Sequence, residues 1–371
     1  MAARAKSDAA AAKFAGVLSA WQKRHGRHDL PWQGRRDPYA VWLSEIMLQQ
    51  TQVAAVIPYY QRFLTRFPTL AELAAAPLDD VLALWSGLGY YSRARNLHRA
   101  AQIVMAEHGG KFPQTQETIM ALPGIGRSTA AAILVFAYGK RSAILDGNVK
   151  RVLARVRGIG GYPGEAAVAA RLWREAEALL PRTGLRAYTQ GLMDLGATVC
   201  LRRNPQCGDC PVHALCEARK TGRIATLPGP RPRKALPQRR IQMLILRRAG
   251  EILMEKRPPS GIWGGLWSFP EEEADADVAA ACVSRYGATV ALNAPLPVIA
   301  HGFTHFRLDI LPLQMSVLSW PKGVEEPGRL WLTPEDALHA AVPAPVRVII
   351  SQLIEKRENH AAGKKRRVVR R

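Results

Sequence analysis

Four cysteines, Cys200, Cys207, Cys210 and Cys216, lie within 17 residues at the spacing C-x6-C-x2-C-x5-C, in a chain of 371 residues that has one other cysteine, Cys282. So tight a group obliges the backbone around it to converge on one point. The N-terminus, MAARAKSDAAAAKF, lacks the apolar stretch of a secretory signal, so a reducing, cytoplasmic compartment is expected. Thiolates there bind soft metals instead of pairing. Structural zinc usually takes thiolates as two close pairs. Here a single close pair, Cys207 and Cys210, is flanked at unequal distances, the spread that suits a cubic iron-sulfur cluster. One 4Fe-4S cluster is the expected cofactor, with zinc the alternative. Inert buried thiols are a poor fit, because Arg202, Arg203, Asn204 and Pro205 make the intervening loop polar.

The charge balance points to the partner. Lys and Arg number 52 against 30 Asp and Glu, a formal net charge of +22, while 48% hydrophobic residues suffice for real cores. No apolar run reaches membrane-spanning length. A polyanion is the natural partner of such a surface. Eight basic residues without an acid lie between Arg219 and Arg240, and six more in the terminal GKKRRVVRR, leaving +8 for the remainder. These segments are expected to strengthen nonspecific binding to nucleic acid through counterion release.

Periodicity divides the chain. From Phe14 to Leu215 apolar residues recur at helical spacing, as in YAVWLSEIMLQQTQVAAVIPYYQRFL, and an all-α domain is expected over 13–218. Residues 219–240 carry Pro228, Pro230, Pro232 and Pro237 among the basic residues and read as an extended linker. Beyond it, Ile241–Arg247 and Glu251–Lys256 flank an Ala249-Gly250 turn, and FRLDILPLQMSVL alternates. Helical stretches near Val278–Tyr286 and Val346–Glu355 complete a mixed α/β domain over 241–358. Residues 1–12 and the basic tail 359–371 are expected to be disordered.

Within the helical part, ETIMALPGIGRSTAAAILVFAYG sets the turn Leu122-Pro123-Gly124-Ile125-Gly126 between two helices. Gly124 and Gly126 permit backbone that side chains would block, and the turn presents N–H groups at a helix start, where a phosphate is favoured. This is a helix-hairpin-helix pattern, which holds duplex DNA by its backbone without reading sequence.

Hairpin, cysteine group and the stretch ILDGNVKRVLARV occur in the order found in the helix-hairpin-helix DNA glycosylases of the endonuclease III class, which the chain resembles. LPWQ at 30–33, WLSEIMLQQTQV at 42–53, GLGYYSRARNLH at 87–98 and GLMDLGATVC at 191–200 resemble more narrowly the MutY-type adenine DNA glycosylases, over residues 14–357. The resemblance implies a monomeric, nucleoid-associated base-excision repair enzyme. It would hydrolyse the N-glycosidic bond of adenine paired with 8-oxoguanine, or with guanine, in double-stranded DNA after flipping the base out of the stack.

Such a reaction asks for an acid to protonate a poor leaving group and a carboxylate to face the cationic sugar. Glu45 lies among Leu43, Ile46 and Met47, where an apolar setting raises a carboxyl pKa, and it matches the family's catalytic acid. Asp146 precedes a helical run, so it is expected to cap that helix; by resemblance it faces the developing sugar charge, with a transient covalent bond possible. Ser128 stands where bifunctional relatives carry a Schiff-base lysine, which implies an abasic product and an uncut strand. Gln49 and Tyr90 match residues inserted into the duplex, and Leu122, Gly124, Gly126 and Ser128 belong to the DNA-holding hairpin. Trp32, Leu48 and Gln190 match the adenine pocket, and His28 departs from an arginine found in some relatives.

In the second domain, EILMEKRPPSGIWGGLWSFPEEE looks like the start of a Nudix fold, but the following ADVAAACVSRYG lacks the acids that hold magnesium, so hydrolysis there is not expected. The resemblance assigns 8-oxoguanine recognition to Phe303, Thr304 and His305, with Thr304 replacing the family's serine. Two other readings remain at this point: a glycosylase acting on thymine in mismatches, and a zinc-bearing DNA-binding module without catalysis.

Overall fold

The computed structural model describes residues 2–232, 235–321 and 327–368, and side chains among them from 9 to 356. Among the described residues twelve α-helices come first: α1 Ala2–His25, α2 Pro38–Leu48, α3 Val53–Arg66, α4 Leu70–Ala75, α5 Leu78–Trp85, α6 Ser92–Glu107, α7 Gln116–Met120, α8 Arg127–Tyr138, α9 Gly147–Val156, α10 Ala166–Ala178, α11 Leu185–Asp194 and α12 Glu217–Lys220. Strands follow, β1 Gln238–Arg248, β2 Glu251–Lys256, β3 Trp267–Ser268 and β4 Glu271–Glu273, then α13 Val278–Tyr286. The chain continues through β5 Thr289–Leu292, β6 Ile299–Gly302, β7 Arg307–Ser319, β8 Arg329–Leu332, α14 Pro334–His339 and α15 Ala344–Val368. No helix among the described residues is long and apolar enough to cross a membrane.

The contacts group the chain into two units, residues 1–75 with 96–233 and residues 76–95 with 234–371. In the first unit, α2 starts where Asp37 accepts from the N–H groups of Tyr39 and Ala40, with Pro38 preset in the first turn. It buries Trp42, Leu43, Ile46 and Met47 almost completely. Each of these contributes roughly 1.5–3 kcal/mol, enough to hold the helix even though Glu45 loses hydration on it. The second core of this unit joins Phe14 and Leu18 of α1 to Val149, Val152 and Leu153 of α9 and Leu192 of α11.

In the second unit β1 is central. It runs parallel to β7 from the Gln238–Arg307 pair to the Arg247–Ser316 pair and antiparallel to β2. Among the described residues the sheet order is β3-β2-β1-β7-β5, with β4 on β1, β6 on β7 and β8 on β2. Ala249 and Gly250 turn the β1–β2 hairpin at positive φ (49° and 91°), as their spacing between strands suggested. Helix α13 is capped by Asp277 and stopped by Gly287 at φ 61°. It buries Cys282 and Tyr286 on the sheet.

Three expectations about order change. Residues 2–12 are helical, because an alanine-rich run propagates a helix anchored by Phe14 and Leu18; Met1 lies outside the described residues. Residues 359–368 likewise continue α15, whose packed part holds Val346, Ile349, Ile350 and Leu353, while 369–371 of the tail lie outside the described residues. The stretch 219–240 is not extended throughout: α12 occupies its start, Leu227 is buried with its carbonyl held by Arg155, and β1 already begins at Gln238. Arg233 and Lys234 of that stretch lie outside the described residues. Residues 76–95 read as part of one continuous helical domain, yet they pack in the second unit. There Ser86 and Tyr91 donate to the Val342 carbonyl and Lys256 pairs with Asp79.

Candidate active site

Glu45 lines a cavity of about 460 Å3 in the first unit together with Trp32, Leu48, Gln190 and His28. Burial pushes its carboxyl up to about 8, and the neighbouring charge of Asp146 adds to the rise. At neutral pH Glu45 is therefore a protonated acid. Trp32 forms one wall and meets Tyr60 edge to face at 5.4 Å. His28 is fixed by the Gln22 carbonyl, 3.0 Å from Nε2.

Asp146 is not among the residues lining this cavity, although its charge reaches Glu45. It caps α9, Oδ1 accepting from Val149 N–H at 2.7 Å. Burial raises its pKa, while the Val149 and Asn148 amides, Arg151 and Lys150 act in the opposite direction. Capping thus supplies positive partners that favour an ionised carboxylate. Two carboxyls 101 positions apart are brought within electrostatic range, both raised by burial, and Asp146 has the amides and cations that act against the rise, which a cation-facing carboxylate needs.

Arg27 and Gln33 line the cavity and Asp194 supports it from outside the lining, and sequence reading singled out none of the three. Asp194 is fully buried, paired with the Arg27 guanidinium at 2.8 Å and accepting from the Arg27 N–H and from Gln190 Nε2 at 2.9 Å. Because a carboxylate only accepts, Gln190 must turn its amide nitrogen to Asp194, which leaves its carbonyl oxygen as the acceptor for the cavity. Gln33 uses Oε1 to accept from Leu30 N–H, and its buried Nε2 has no hydrogen-bond partner among the described residues. A hint existed for Asp194: an acid inside the apolar helical run GLMDLG demands a partner.

The hairpin also belongs to the first unit. Gly124 sits at φ 78°, and a Cβ there would lie 2.9 Å from Asn96 Cβ, so both conformation and space require glycine. Gly126 starts α8 without a side-chain cap. Leu122 is buried at 3% exposure, so any part it takes at the DNA face falls to its backbone. Ser128 accepts from Leu145 N–H at 2.9 Å and so ties α8 to the residue before Asp146. Gln49 does not project: Nε2 donates to the Gly124 carbonyl and Thr129 hydroxyl, so it braces the hairpin. The exposed neighbour Gln50, at φ 56°, stands out instead.

The cysteine loop opens from a turn of π-helix, Leu195–Val199, that ends α11. Its entry is tight, since a Cβ on Gly196 would lie 2.6 Å from Asn148 Cβ. All four thiols are free, half-buried and line one small cavity with Val152, Val199 and Val212. Among the described residues no three His, Cys, Asp or Glu side chains converge in a way that could hold a single metal ion. Four thiols around a shared space suit a cluster whose irons each take one thiolate. The amide of Val212 donates toward Cys210, those of Ala218 and Arg219 toward Cys216, and Arg155 Nη1 toward Cys200 Sγ at 3.4 Å. These donors fit a bound anionic cluster. Arg155, only 4% exposed, also holds the carbonyls of Leu201, Arg202 and Leu227.

The second unit has its own cavity, about 590 Å3, lined by Tyr90, Trp263, His301, Phe303, Thr304 and His305. Tyr90 is 45% exposed at φ 48°. The turn below it is fastened by Trp85 and Arg93, both donating to the Gly89 carbonyl at 3.1 Å.

Comparison with known proteins agrees with this layout. The family model of the HhH-GPD superfamily of base excision DNA repair proteins matches residues 43–178, the iron-sulfur binding domain of endonuclease III matches 200–216, and the NUDIX domain matches 242–352. An adenine DNA glycosylase of Buchnera aphidicola subsp. Baizongia pistaciae is 36% identical over 348 residues, 94% of this chain and 98% of that protein. The human adenine DNA glycosylase is 34% identical over 422 aligned positions, 95% of this chain and 76% of that protein. Among solved structures, a thermostable thymine-DNA glycosylase superposes with a TM-score of 0.53 at 30% identity, covering 57% of this chain and 97% of that one.

Proposed function

The chain belongs to the adenine DNA glycosylase family, and from that premise we propose that it removes adenine paired with 8-oxoguanine, or with guanine, from duplex DNA. The product would be an abasic site in an uncut strand. The observation that carries the reading is the cavity in which a protonated Glu45 meets Trp32, Leu48 and Gln190, with the charge of Asp146 nearby. A flipped base fills such a pocket, its faces against Trp32 and Leu48. The Gln190 carbonyl suits the exocyclic amine of adenine, and Gln33 Nε2 suits a ring nitrogen.

Glu45 gives its proton to a ring nitrogen of adenine. The bond from C1′ of the deoxyribose to the base then breaks, its electron pair leaving with the now neutral base. Positive charge left on the sugar faces the Asp146 carboxylate, which stabilises it directly or through a transient C1′–O bond. Glu45, now a carboxylate, takes a proton from water as the water oxygen bonds to C1′, any C1′–O bond to Asp146 breaking with its electron pair returned to that carboxylate, and the acid is regenerated. Ser128 offers no amine, and its hydroxyl is engaged by Leu145 N–H, so no Schiff base forms at that position.

The duplex is held by the hairpin, where uncapped α8 and the Gly124 turn direct N–H groups to a phosphate. Cys200, Cys207, Cys210 and Cys216 would hold the 4Fe-4S cluster, which supplies structural rigidity when bound. Arg151 and Arg155 tie its loop to α9, which Asp146 caps. In the second unit Tyr90, Phe303, Thr304 and His305 would meet the opposite base: aromatic rings to stack, and a hydroxyl and an imidazole to bond a purine edge. A single, DNA-bound chain is the working state in this reading, with residues 1–75 and 96–233 carrying the excision site and residues 76–95 and 234–371 the site for the opposite base.

The test is base release from duplexes holding 8-oxoguanine:adenine, guanine:adenine and guanine:thymine, with strands analysed before and after alkali. Adenine release, fastest opposite 8-oxoguanine and without cleavage before alkali, is expected. Release of thymine, or robust nicking without alkali, refutes the reading.

A further inference from the structure

Trp263 is the one bulky aromatic at positive φ besides Tyr90 among the described residues, at φ 55°. A large side chain in that region is strained, and such strain persists only where the surroundings over-determine it. Here they do. Leu266 N–H donates to the Trp263 carbonyl at 3.0 Å, closing a turn, and Gly265 N–H to the Pro258 carbonyl at 3.0 Å. A Cβ on Gly264 would lie 2.5 Å from the Pro259 carbonyl oxygen. Arg257 Nε holds the Ile262 carbonyl at 3.1 Å, its guanidinium lies 5.6 Å from the indole, and Glu271 pairs with it.

What this clamped turn does is aim an indole. Trp263 is 8% exposed, lines the second unit's cavity, and sits 5.4 Å from the Phe303 ring and 5.6 Å from His301. Phe303 also stacks on Phe306 at 4.5 Å, and Phe303 N–H closes its own turn on the Phe306 carbonyl. Phe306 is buried and covered by the Arg239 guanidinium at 4.8 Å. Phe303 therefore packs against two rings, one buried beside the sheet and the other carried by the strained turn.

We propose that Trp263 is a positioning residue for selection of the base opposite adenine, setting the rings of Phe303 and His301 by direct packing. The inference rests on the reading that Phe303 to His305 meet 8-oxoguanine. It assigns Trp263 no bond to DNA: its effect passes through Phe303.

The experiment measures the ratio of kcat/KM for 8-oxoguanine:adenine over guanine:adenine duplexes, with the cluster-loaded full chain. The variants are Trp263→Gly, Trp263→Phe, Phe303→Ala and the Trp263→Gly/Phe303→Ala double. Glycine removes the ring while relieving the left-handed strain, so the turn keeps its path. Phe303→Ala and Trp263→Gly are each expected to lower the ratio by about tenfold, the size of coupling between packed neighbours. The double variant should fall no further than Phe303→Ala, Trp263→Phe should restore most of the ratio, and excision from guanine:adenine should move less than about twofold, as for independent distant effects. An unchanged ratio in Phe303→Ala overturns the recognition reading itself. A lowered ratio in Phe303→Ala with none in Trp263→Gly, or losses that multiply in the double variant, overturns the role of Trp263 alone. A Trp263→Gly variant that loses activity equally on both duplexes also overturns it.

Discussion

Replacing Glu45 by glutamine should stabilise the protein, and by an amount that grows with pH. The carboxyl pKa rises from an ordinary 4.5 to about 8 in the fold, chiefly because burial disfavours the anion. The folded state then holds a proton that the unfolded chain releases above pH 4.5, so stability falls as pH rises from there and stops falling above about 8. A tenfold difference in proton affinity between the two states is worth about 1.4 kcal/mol, so the penalty is on the order of 1 kcal/mol at pH 5.5, 3 kcal/mol at pH 7 and nearly 5 kcal/mol above pH 8. These are upper values, since the cavity gives water access to one side of the carboxyl. Glutamine fills the same space and carries no charge at any pH. Urea unfolding of the cluster-loaded parent and of Glu45→Gln, followed by far-UV circular dichroism at half-unit steps from pH 5 to 9, gives the difference directly. It should open between pH 5 and 8 in favour of the variant and level off above that, while adenine release is lost. A difference that does not vary with pH, or one that favours the parent, would refute the claim that the fold holds Glu45 as a neutral acid.

The same acid sets the alkaline limb of catalysis: single-turnover adenine release should be level near pH 7 and fall about tenfold per pH unit well above pH 8, so a rate climbing from pH 7 to 9 would exclude Glu45 as the proton donor. Burial raises Asp146 as well, so the acid limb, read in the same profile, should lie above the ordinary aspartate range. Gly124→Ala forces a side chain into the left-handed region against Asn96 and should cost more than about 1 kcal/mol while weakening binding to all duplexes alike. Thermal unfolding and binding at fixed salt would check it, and an effect limited to lesion duplexes would count against it. Arg155→Met strips a buried cation from three carbonyls and the Cys200 sulfur, costing on the order of 3 kcal/mol. Iron per chain and the visible absorbance of the purified variant should both fall, and unchanged values would show the loop stands without it.

Local chemistry was legible without a fold. Cysteine spacing, Gly124 of the hairpin, Asp146 before a helix, the Ala249-Gly250 turn and the change of period near residue 240 each act over a few residues, and the structure places them as read, whereas Gly126 sits in extended backbone at φ −91° with open space where a Cβ would stand and does not require glycine. Glu45, Trp32, Leu48 and Gln190 were chosen by resemblance, and only packing shows them around one space, with Glu45 neutral because of what surrounds it. Side-chain direction was not legible. Gln49 and Gln50 are neighbours of one type, yet one braces the hairpin and the other is exposed, since a positive φ at Gln50 turns the chain between them. Nor could a one-dimensional pattern show that residues 76–95 pack in the C-terminal unit, that Arg27 and Gln190 share Asp194, or that a strained Trp263 backs Phe303. Sequence alone determined what depends on neighbours along the chain, namely caps, turns, periods and ligand spacing. The tertiary structure decided what depends on burial and on partners far away in sequence, because a pKa, a buried ion pair or the aim of a ring is a property of enclosed space.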